Sequence, residues 1–252
     1  MSFSASADAY DRFMGRYSSP LAPEFADLAA VSSGQHVLDV GCGPGALTAE
    51  LVARVGADLV SAVDPSESFV SAVRERYTGV DARRASAEQL PFADDMFDAA
   101  LAQLVVHFMA DPVVGLGEMA RVTRQGCVVA ACVWDHAGGQ GPLSPFWEAV
   151  ADFDPSVEGE SRLPGARAGD LALLMRTAGL REIEEVARSV VVEHPSFDAW
   201  WEPFTLGVGP AGAYVSGLDM NGQALLRERC REALPAAPFM LPAKAWAARG
   251  IV

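Results

Sequence analysis

Paired cysteines, basic residues and long apolar runs are all scarce in this sequence, and each scarcity excludes a class of protein. The four cysteines include no C-x-x-C pair, so neither a zinc knuckle nor a disulfide framework is expected, and a reducing, cytoplasmic environment is predicted. Lys and Arg number 19 against 33 Asp and Glu, which gives a formal net charge of -14. A surface of that charge repels a phosphate backbone, so nucleic acid is not expected as a partner.

Signals for secretion, for a membrane and for a metal are also missing. The start, MSFSASADAY, has no basic region followed by an apolar stretch, which a signal peptide needs. The apolar run over 99–110 is short and contains Gln103 and His107, so no membrane partner is expected. No metal-ligand spacing is found, and no metal site is predicted.

What the sequence does have is enough apolar material for a sizeable core. Half of the 252 residues are apolar and 21% are charged, a composition that can bury enough surface to offset chain entropy. The length suits one α/β domain with added segments. We therefore predict a single domain over 1–252.

Short apolar runs alternate with helical patterns from position 36 onward, which is typical of βαβ units and a parallel sheet. The predicted strands are 36–40, 59–64, about 80–87, 97–108 with an outlet near Gln103, and 127–134. Asp111 and Pro112 predict the start of a helix between the last two of these strands. The pattern indicates a doubly wound α/β fold.

Regular alternation stops after position 134, where loop and helical segments interrupt it. Helical insertions are predicted over 136–168 and 195–236, with a strand over 181–194 between them and a last strand after Pro238. We expect 35–135 to form the ligand-binding half and the two insertions to form a cap over a substrate. The chain is therefore expected to end on a strand.

A glycine-rich turn, VLDVGCGPG over 37–45, joins the first strand to the first helix of this half. Its three glycines allow a tight turn and let a ligand approach main-chain amides, although such a turn can also serve only to pack a strand on a helix. Asp39 precedes the first glycine, where its carboxylate can accept from the amides of the turn. Asp64 ends the second strand, where it can accept two ribose hydroxyls or simply introduce the next helix.

These motifs resemble a known family. VLDVGCGPG, then VDPS, then ASAEQLPFADDMFDAALAQLVVHF, then RVTRQGCVV follow the order and spacing of the class I S-adenosylmethionine-dependent methyltransferases of the ubiquinone/menaquinone-biosynthesis-like group, methyltransferase type 11. The resemblance covers roughly 35–135. It implies S-adenosylmethionine as cofactor and a seven-stranded, mostly parallel sheet whose last strand is antiparallel.

The resemblance also implies positions for the cofactor. By position, Gly41, Gly43 and Gly45 would line its methionine part, Asp64 would hold the ribose, and the adenine would lie near Pro65, Ser86 and Ala87, with Gln103 near the methionine end. Many relatives have an acid in place of Ser86, so the contact with the adenine amino group here would be a hydroxyl, a water or none. AYDRFMGRYS resembles the helix that closes over the cofactor, which implies a helical lid over 1–34 with Tyr10, Arg16 and Tyr17 as contacts; a purely packing helix is the alternative.

The acceptor side is predicted from chemistry. A methyl sulfonium is already activated, so the protein mainly has to align an acceptor with it. His107 and then His136 are the best-placed candidates for a base, and a structural role is the alternative for each. The insertions are dense in aromatic residues. These residues predict the wall of a pocket for a flat or hydrophobic small-molecule acceptor; the alternative is that they only pack the cap against the sheet. These residues are Trp134, Phe146, Trp147, Phe153, Trp200, Trp201, Phe204 and Tyr214.

Two other classes of function compete with methyl transfer. Gly41, Gly43 and Ala46 also satisfy G-x-G-x-x-A with Asp64 some twenty residues on, which would suit an NAD-dependent oxidoreductase. Asp39 ahead of the glycines and the expected antiparallel last strand argue against it. A non-catalytic S-adenosylmethionine-binding protein is the second alternative, and a deep pocket beside the cofactor would distinguish an enzyme from it.

Overall fold

A seven-stranded sheet forms the centre of the computed structural model, which describes residues 7–252. The strands are β1 (Val37–Val40), β2 (Val60–Asp64), β3 (Asp81–Arg84), β4 (Phe97–Gln103), β5 (Thr123–Trp134), β6 (Arg181–His194) and β7 (Phe239–Ile251). They are ordered β3-β2-β1-β4-β5-β7-β6. Pairs from β3 to β5 are parallel, whereas β7 runs antiparallel to both β5 and β6. The predicted fold class, including the antiparallel last strand, is confirmed.

Helices cover both faces of this sheet. They are α1 (Ala7–Tyr10), α2 (Arg16–Leu28), α3 (Ala46–Val55), α4 (Glu67–Arg76), α5 (Pro112–Val122), α6 (Ser144–Phe153), α7 (Asp170–Thr177), α8 (Phe197–Trp201), α9 (Gly209–Gly217) and α10 (Met220–Ala233). A π-helical turn, Asp11–Gly15, joins α1 to α2. The predicted start of α5 is confirmed, since Asp111 Oδ1 accepts from the amides of Val113 and Val114 and Pro112 fills the first helical position. Residues 1–6 of the predicted lid lie outside the described residues.

Burial on both faces explains why the central strands are continuous apolar runs. All four residues of β1 and all five of β2 are buried. On one face the sheet packs against α2, α3 and α4 through residues such as Phe25 and Leu51. On the other face α5 and α7 contribute Leu116 and Met175. The edge at which the parallel strands end is left for a ligand.

The two insertions pack mainly on each other. Side chains of α6, α8, α9 and α10 form a separate apolar cluster, which Phe13 of the amino-terminal segment joins. Phe146 and Phe204 stack with ring centroids 4.5 Å apart and an interplanar angle of 14°. This cluster, which we call the helical cap, lies in 144–153 and 197–233, within the predicted insertions.

Two predicted strands are shorter than expected. The strand expected over 97–108 ends at Gln103, because Leu104 adopts a left-handed conformation with φ of 63° and a 3-10 turn, Val106–Phe108, follows. The strand expected over about 80–87 covers only 81–84. Both changes widen the loops at the carboxyl edge of the sheet. None of the helices within 7–252 is long and apolar enough to cross a bilayer.

Candidate functional site

The glycine turn after β1 is fastened to the end of β2. The amides of Gly41 and Cys42 donate to Val63 O at 2.8 and 2.9 Å, and the amide of Gly43 donates to Asp64 Oδ2 at 3.0 Å. Gly41 has a φ of 70°, and a Cβ there would lie 2.4 Å from the Val105 side chain. Only glycine therefore allows this turn to pack beneath the loop after β4.

Asp64 lies at the carboxyl end of β2 with 7% of its surface exposed. Its Oδ1 accepts from the amide of Ser66 at 2.8 Å, while Oδ2 accepts from Gly43. Burial raises the pKa of this carboxyl, and the two amide hydrogen bonds oppose that rise. The side chain thus holds the glycine turn and also borders the cavity described below.

Asp39 has a different role from the predicted one. It was expected to accept from the amides of the turn, but its Oδ2 accepts from the hydroxyl of Thr48 at 2.6 Å, and the turn is held by Val63 and Asp64 instead. Asp39 is 1% exposed, and burial raises its pKa to about 7. The pair ties β1 to the first turn of α3.

Most of the predicted cofactor residues come together around one cavity of about 260 Å³, which we call the loop cavity. The predicted residues on its wall are Tyr10, Gly41, Gly43, Asp64, Pro65, Ser86 and Ala87. Phe69, Leu104 and Phe108 supply apolar walls that the sequence analysis did not single out. The cavity lies at the carboxyl edge of the parallel strands, where open α/β sheets bind ligands.

A small recess of about 20 Å³ continues beside the loop cavity and contains two more predicted residues, Asp39 and Gln103. Gln103 Nε2 donates to Ser18 O at 3.0 Å, but its Oε1 is buried and has no hydrogen-bond partner among residues 7–252. Gly45 does not reach either space: it borders a surface groove, and a Cβ there would lie 2.7 Å from Tyr77 Cε2. Gly45 thus packs against Tyr77, and its contact with a cofactor stays a prediction.

Arg16 and Tyr17 are placed away from the loop cavity. The Arg16 guanidinium donates to Arg12 O and to Ala199 O, and Tyr17 Oη lies 3.0 Å from His194 Nε2 in the interior. Neither side chain is on the wall of the loop cavity or of the recess. Both face β6 and α8, and their contact with a cofactor stays a prediction. Tyr10, six residues before Arg16, is the residue of this segment that lines the loop cavity.

A second, apolar cavity of about 40 Å³ lies next to the loop cavity, and we call it the histidine cavity. Tyr10, Leu104 and Phe108 line both spaces. The rings of His107 and His136 face this cavity with centroids 5.7 Å apart. The two cavities therefore meet at a shared wall.

Both imidazoles are buried and incompletely bonded. His107 Nδ1 and His136 Nε2 have no hydrogen-bond partner within the part of the chain that the structure describes, and neither does Trp134 Nε1 on the same wall. Burial lowers the pKa of His107 well below its usual value and that of His136 to about 4. Both rings are therefore neutral at neutral pH, and each can offer either a donor or an acceptor nitrogen.

Glu160 is a residue that the sequence analysis missed. It lies 4% exposed in the loop before α7, and its Oε2 accepts from Trp147 Nε1 at 2.8 Å. Burial raises its pKa to about 7. The side chain lines the histidine cavity and also an open cleft of about 200 Å³ that we call the outer cleft. No motif surrounds it, and only Gly159, whose φ is 58°, indicates a tight turn there.

The predicted aromatic wall is divided between two roles. Trp134 lines the histidine cavity and Trp147 the outer cleft. Phe146, Trp200, Trp201 and Phe204 instead stack on one another inside the helical cap and line neither of these spaces. These four side chains bury their rings against one another, and a contact with a substrate stays a prediction for them. No group of three or more metal-ligating side chains is found within 7–252.

Comparisons with known proteins agree with this arrangement. Residues 38–131 match a family model described as a methyltransferase domain. The O-methyltransferase cnsE of Penicillium expansum is 34% identical over 162 residues, which cover 61% of this chain and 54% of that protein. Demethylmenaquinone methyltransferase of Mycobacterium sp. (strain KMS) is 41% identical over 102 residues, which cover 40% and 43%. The chain thus spans about half the length of the curated relatives it matches.

A solved structure shows the same fold at low identity. Geranyl diphosphate C-methyltransferase from Streptomyces coelicolor A3(2), determined with Mg²⁺, geranyl diphosphate and S-adenosyl-L-homocysteine, superposes with a TM-score of 0.53 and 16% identity. The alignment covers 94% of this chain and 80% of that one. Residues 38–131 thus match a methyltransferase domain, and the chain has the fold of this solved methyltransferase, with a cavity at the glycine turn.

Proposed function

We propose that the chain is an S-adenosylmethionine-dependent methyltransferase that acts on a small molecule bound in the histidine cavity. The observation that carries this proposal is the shared wall of Tyr10, Leu104 and Phe108 between the loop cavity and the histidine cavity. Because the same three side chains line both cavities, a donor bound in the loop cavity and an acceptor bound in the histidine cavity would lie next to each other. Named relatives methylate acceptors of several kinds, among them an O-methyltransferase, so the acceptor is argued from this chain's own residues.

The residues of the loop cavity fit the proposed cofactor. Asp64 offers a buried carboxylate to the paired hydroxyls of a ribose, and Ser86 and Ala87 border the side where a flat base would lie. Gln103 Oε1, a buried acceptor without a partner, lies in the recess where an ammonium group would be stabilised. When bound, this cofactor supplies a methyl group already activated on a sulfonium.

The protein's contribution is alignment. The glycine turn and Asp64 fix the donor side, and the histidine cavity holds the acceptor in an apolar space from which water is largely excluded. Holding two reactants in register in this way can lower a barrier by about 7 to 11 kcal/mol. The helical cap, whose α9 begins beside Val208 and Gly209 on the wall of the histidine cavity, closes the acceptor side.

The first test is isothermal calorimetry of the purified chain with S-adenosylmethionine, S-adenosylhomocysteine and NAD. Binding of the two sulfur ligands and not of NAD is expected. Asp64→Ala should weaken S-adenosylmethionine binding by about 10- to 100-fold, because hydrogen bonds to a charged carboxylate contribute about 1.5 to 3 kcal/mol each. Asp81→Ala, which removes an exposed carboxylate on the neighbouring strand β3, is the matched control and should bind as the wild type does.

Asp64 also holds the amides of Gly43 and Ser66, so the fold of each variant is checked by thermal unfolding. Asp64→Asn keeps one acceptor oxygen and should give an intermediate affinity. Unchanged affinity in Asp64→Ala would contradict the placement of the cofactor, and binding of NAD alone would favour an oxidoreductase. Binding of S-adenosylmethionine without turnover of any small phenol, amine or enol would identify a non-catalytic binding protein.

A further inference from the structure

Three titratable side chains face the histidine cavity from different parts of the chain: His107 after β4, His136 after β5 and Glu160 before α7. A fourth, Tyr10, belongs to the wall shared with the loop cavity. The lining residues of the cavity include no Lys or Arg among those described. The cavity therefore contains one carboxyl and two neutral imidazole rings, and no lining cation pairs with the carboxyl.

We propose that Glu160 is the base that takes the proton of an uncharged, phenol-type acceptor in this cavity, and that His107 and His136 orient that acceptor as neutral hydrogen-bonding partners. The inference rests on the proposed function, because it assigns the acceptor to the site next to the loop cavity. It adds a residue and a class of acceptor that the family resemblance does not supply.

Geometry favours Glu160 over His107. Trp147 Nε1 donates to Glu160 Oε2 at 2.8 Å and fixes the carboxyl at the boundary of the cavity. The side chain lines both the histidine cavity and the outer cleft, so a proton taken inside can leave to solvent without crossing the loop cavity. His136 lines both spaces as well, whereas His107 is buried and does not line the outer cleft.

Electrostatics agree with this division of roles. A base works best when its pKa lies near the working pH. Burial brings the pKa of Glu160 to about 7, whereas it lowers the pKa of His136 to about 4 and that of His107 well below its usual value. The imidazoles are thus poor proton acceptors but remain good hydrogen-bonding partners for a hydroxyl.

The charges of the surroundings select against an anionic acceptor. In the outer cleft Glu160 is accompanied by Glu148 and Glu158, and Arg162 lies 2.8 Å from Glu158 at the exposed rim. A carboxylate or phosphate entering the apolar cavity would meet Glu160 without a counter-ion, and burying an unpaired charge is costly. A neutral phenol avoids that cost, because Trp147 and the cavity walls already accommodate the carboxyl.

The proposed step is balanced in atoms and charge. The bond from sulfur to the methyl carbon breaks and leaves its electron pair on sulfur, while a bond forms from the phenolic oxygen to that carbon. The phenolic proton passes to the Glu160 carboxylate. A sulfonium cation and a carboxylate anion are thereby converted to a neutral thioether and a neutral carboxylic acid.

Binding of p-cresol to the S-adenosylhomocysteine-loaded chain tests this assignment without turnover. A phenol of this kind has a pKa of about 10 and stays protonated between pH 6 and pH 8. If only the ionised form of Glu160 accepts its hydroxyl, the affinity should rise about tenfold over that range, following the ionised fraction of a group whose pKa is about 7. The methyl ether of p-cresol has no proton to donate and should bind independently of pH, and 4-methylbenzoate should not bind.

Variants separate a proton-accepting role from a structural one. Glu160→Gln should abolish the pH dependence of p-cresol binding, and Glu148→Gln, the matched control in the outer cleft, should keep it. Trp147→Phe removes the donor that stabilises the ionised carboxyl, so the midpoint of the pH dependence should move to higher pH. That shift decides the question even if Glu160→Gln does not fold.

Three results would overturn the inference: a tenfold rise that persists in Glu160→Gln, equal binding of p-cresol and its methyl ether, or no binding of p-cresol by a chain that binds S-adenosylhomocysteine. Each of these leaves the proposed function standing. Failure to bind S-adenosylhomocysteine at all would instead count against the proposed function itself.

Discussion

Replacing Asp39 with Asn should remove a large part of the pH dependence of stability. Asp39 is 1% exposed, Thr48 is fully buried, and the carboxyl has one hydroxyl donor at 2.6 Å. Burial raises its pKa from 3.8 to about 7 in the folded chain. The folded state therefore binds a proton that the unfolded state has already released between these two values. Over that window the free energy of unfolding falls as pH rises.

The magnitude follows from the two pKa values. For a single group with a pKa of 3.8 in the unfolded chain and about 7 in the folded chain, the free energy of unfolding falls by about 4 kcal/mol over the whole titration. About 3 kcal/mol of that fall takes place between pH 5 and pH 8. The asparagine has nearly the same shape and can still accept from Thr48, but it does not titrate. The wild type should thus lose about 3 kcal/mol more than Asp39→Asn over this interval.

Urea unfolding at pH 5, 6.5 and 8 measures this difference. Glu160, with a raised pKa, and His136, with a lowered one, also contribute to the pH dependence, but they do so in both proteins and cancel in the comparison. Asp81→Asn, at an exposed ion pair with Arg83, is the matched control and should follow the wild type. Parallel stability profiles for wild type and Asp39→Asn would refute the assignment of a buried, titrating carboxyl to β1.

Two further predictions concern residues that the structure places away from the cavities. Tyr17→Phe should cost about 1 to 3 kcal/mol of stability, because it leaves His194 Nε2 buried without a partner, and should leave S-adenosylmethionine affinity within twofold in calorimetry. A tenfold loss of S-adenosylmethionine affinity would indicate that Tyr17 contacts the cofactor. Trp200→Ala should cost about 3 to 5 kcal/mol in urea unfolding, because Trp200 packs on Phe204 inside the helical cap, yet p-cresol should bind to the folded fraction unchanged. Weaker p-cresol binding would show that the cap shapes the acceptor site.

The loop cavity could be predicted from sequence because the backbone builds most of it. Gly41 and Gly43 are required by left-handed turn conformations, and Asp64 is required by the amides it holds at the end of β2. Each of these constraints is local, lies between a strand and a helix, and leaves a mark in the sequence. For the same reason the parallel part of the sheet followed from the alternation of apolar runs, whereas the antiparallel last strand was implied by the family resemblance; the ends of strands, as at Leu104, differed.

The predicted site residues that lie away from the loop cavity have partners that are far away in the chain. Arg16 and Tyr17 lie on the expected helix, but their direction is set by His194 on β6, 178 and 177 positions later. Gly45 satisfies a motif, yet its neighbour Tyr77 decides its role. A family pattern fixes the position of a residue along its own element, and long-range packing fixes what its side chain contacts.

Glu160 illustrates the consequence for specificity. Its place depends on Gly159, which lets the loop pass close to the Trp147 ring, where a Cβ would lie 3.0 Å from the indole. It depends also on Trp147 itself, which comes from α6 and ties the carboxyl to the helical cap. The donor side is thus built from the segments that follow β1, β2, β3 and β4, whereas the acceptor side combines the loops after β4 and β5 with the amino-terminal segment and the insertions. Among the described residues these two sides share Tyr10, Leu104 and Phe108, and no insertion residue lines the loop cavity, so the insertions can change the acceptor while the donor site stays the same.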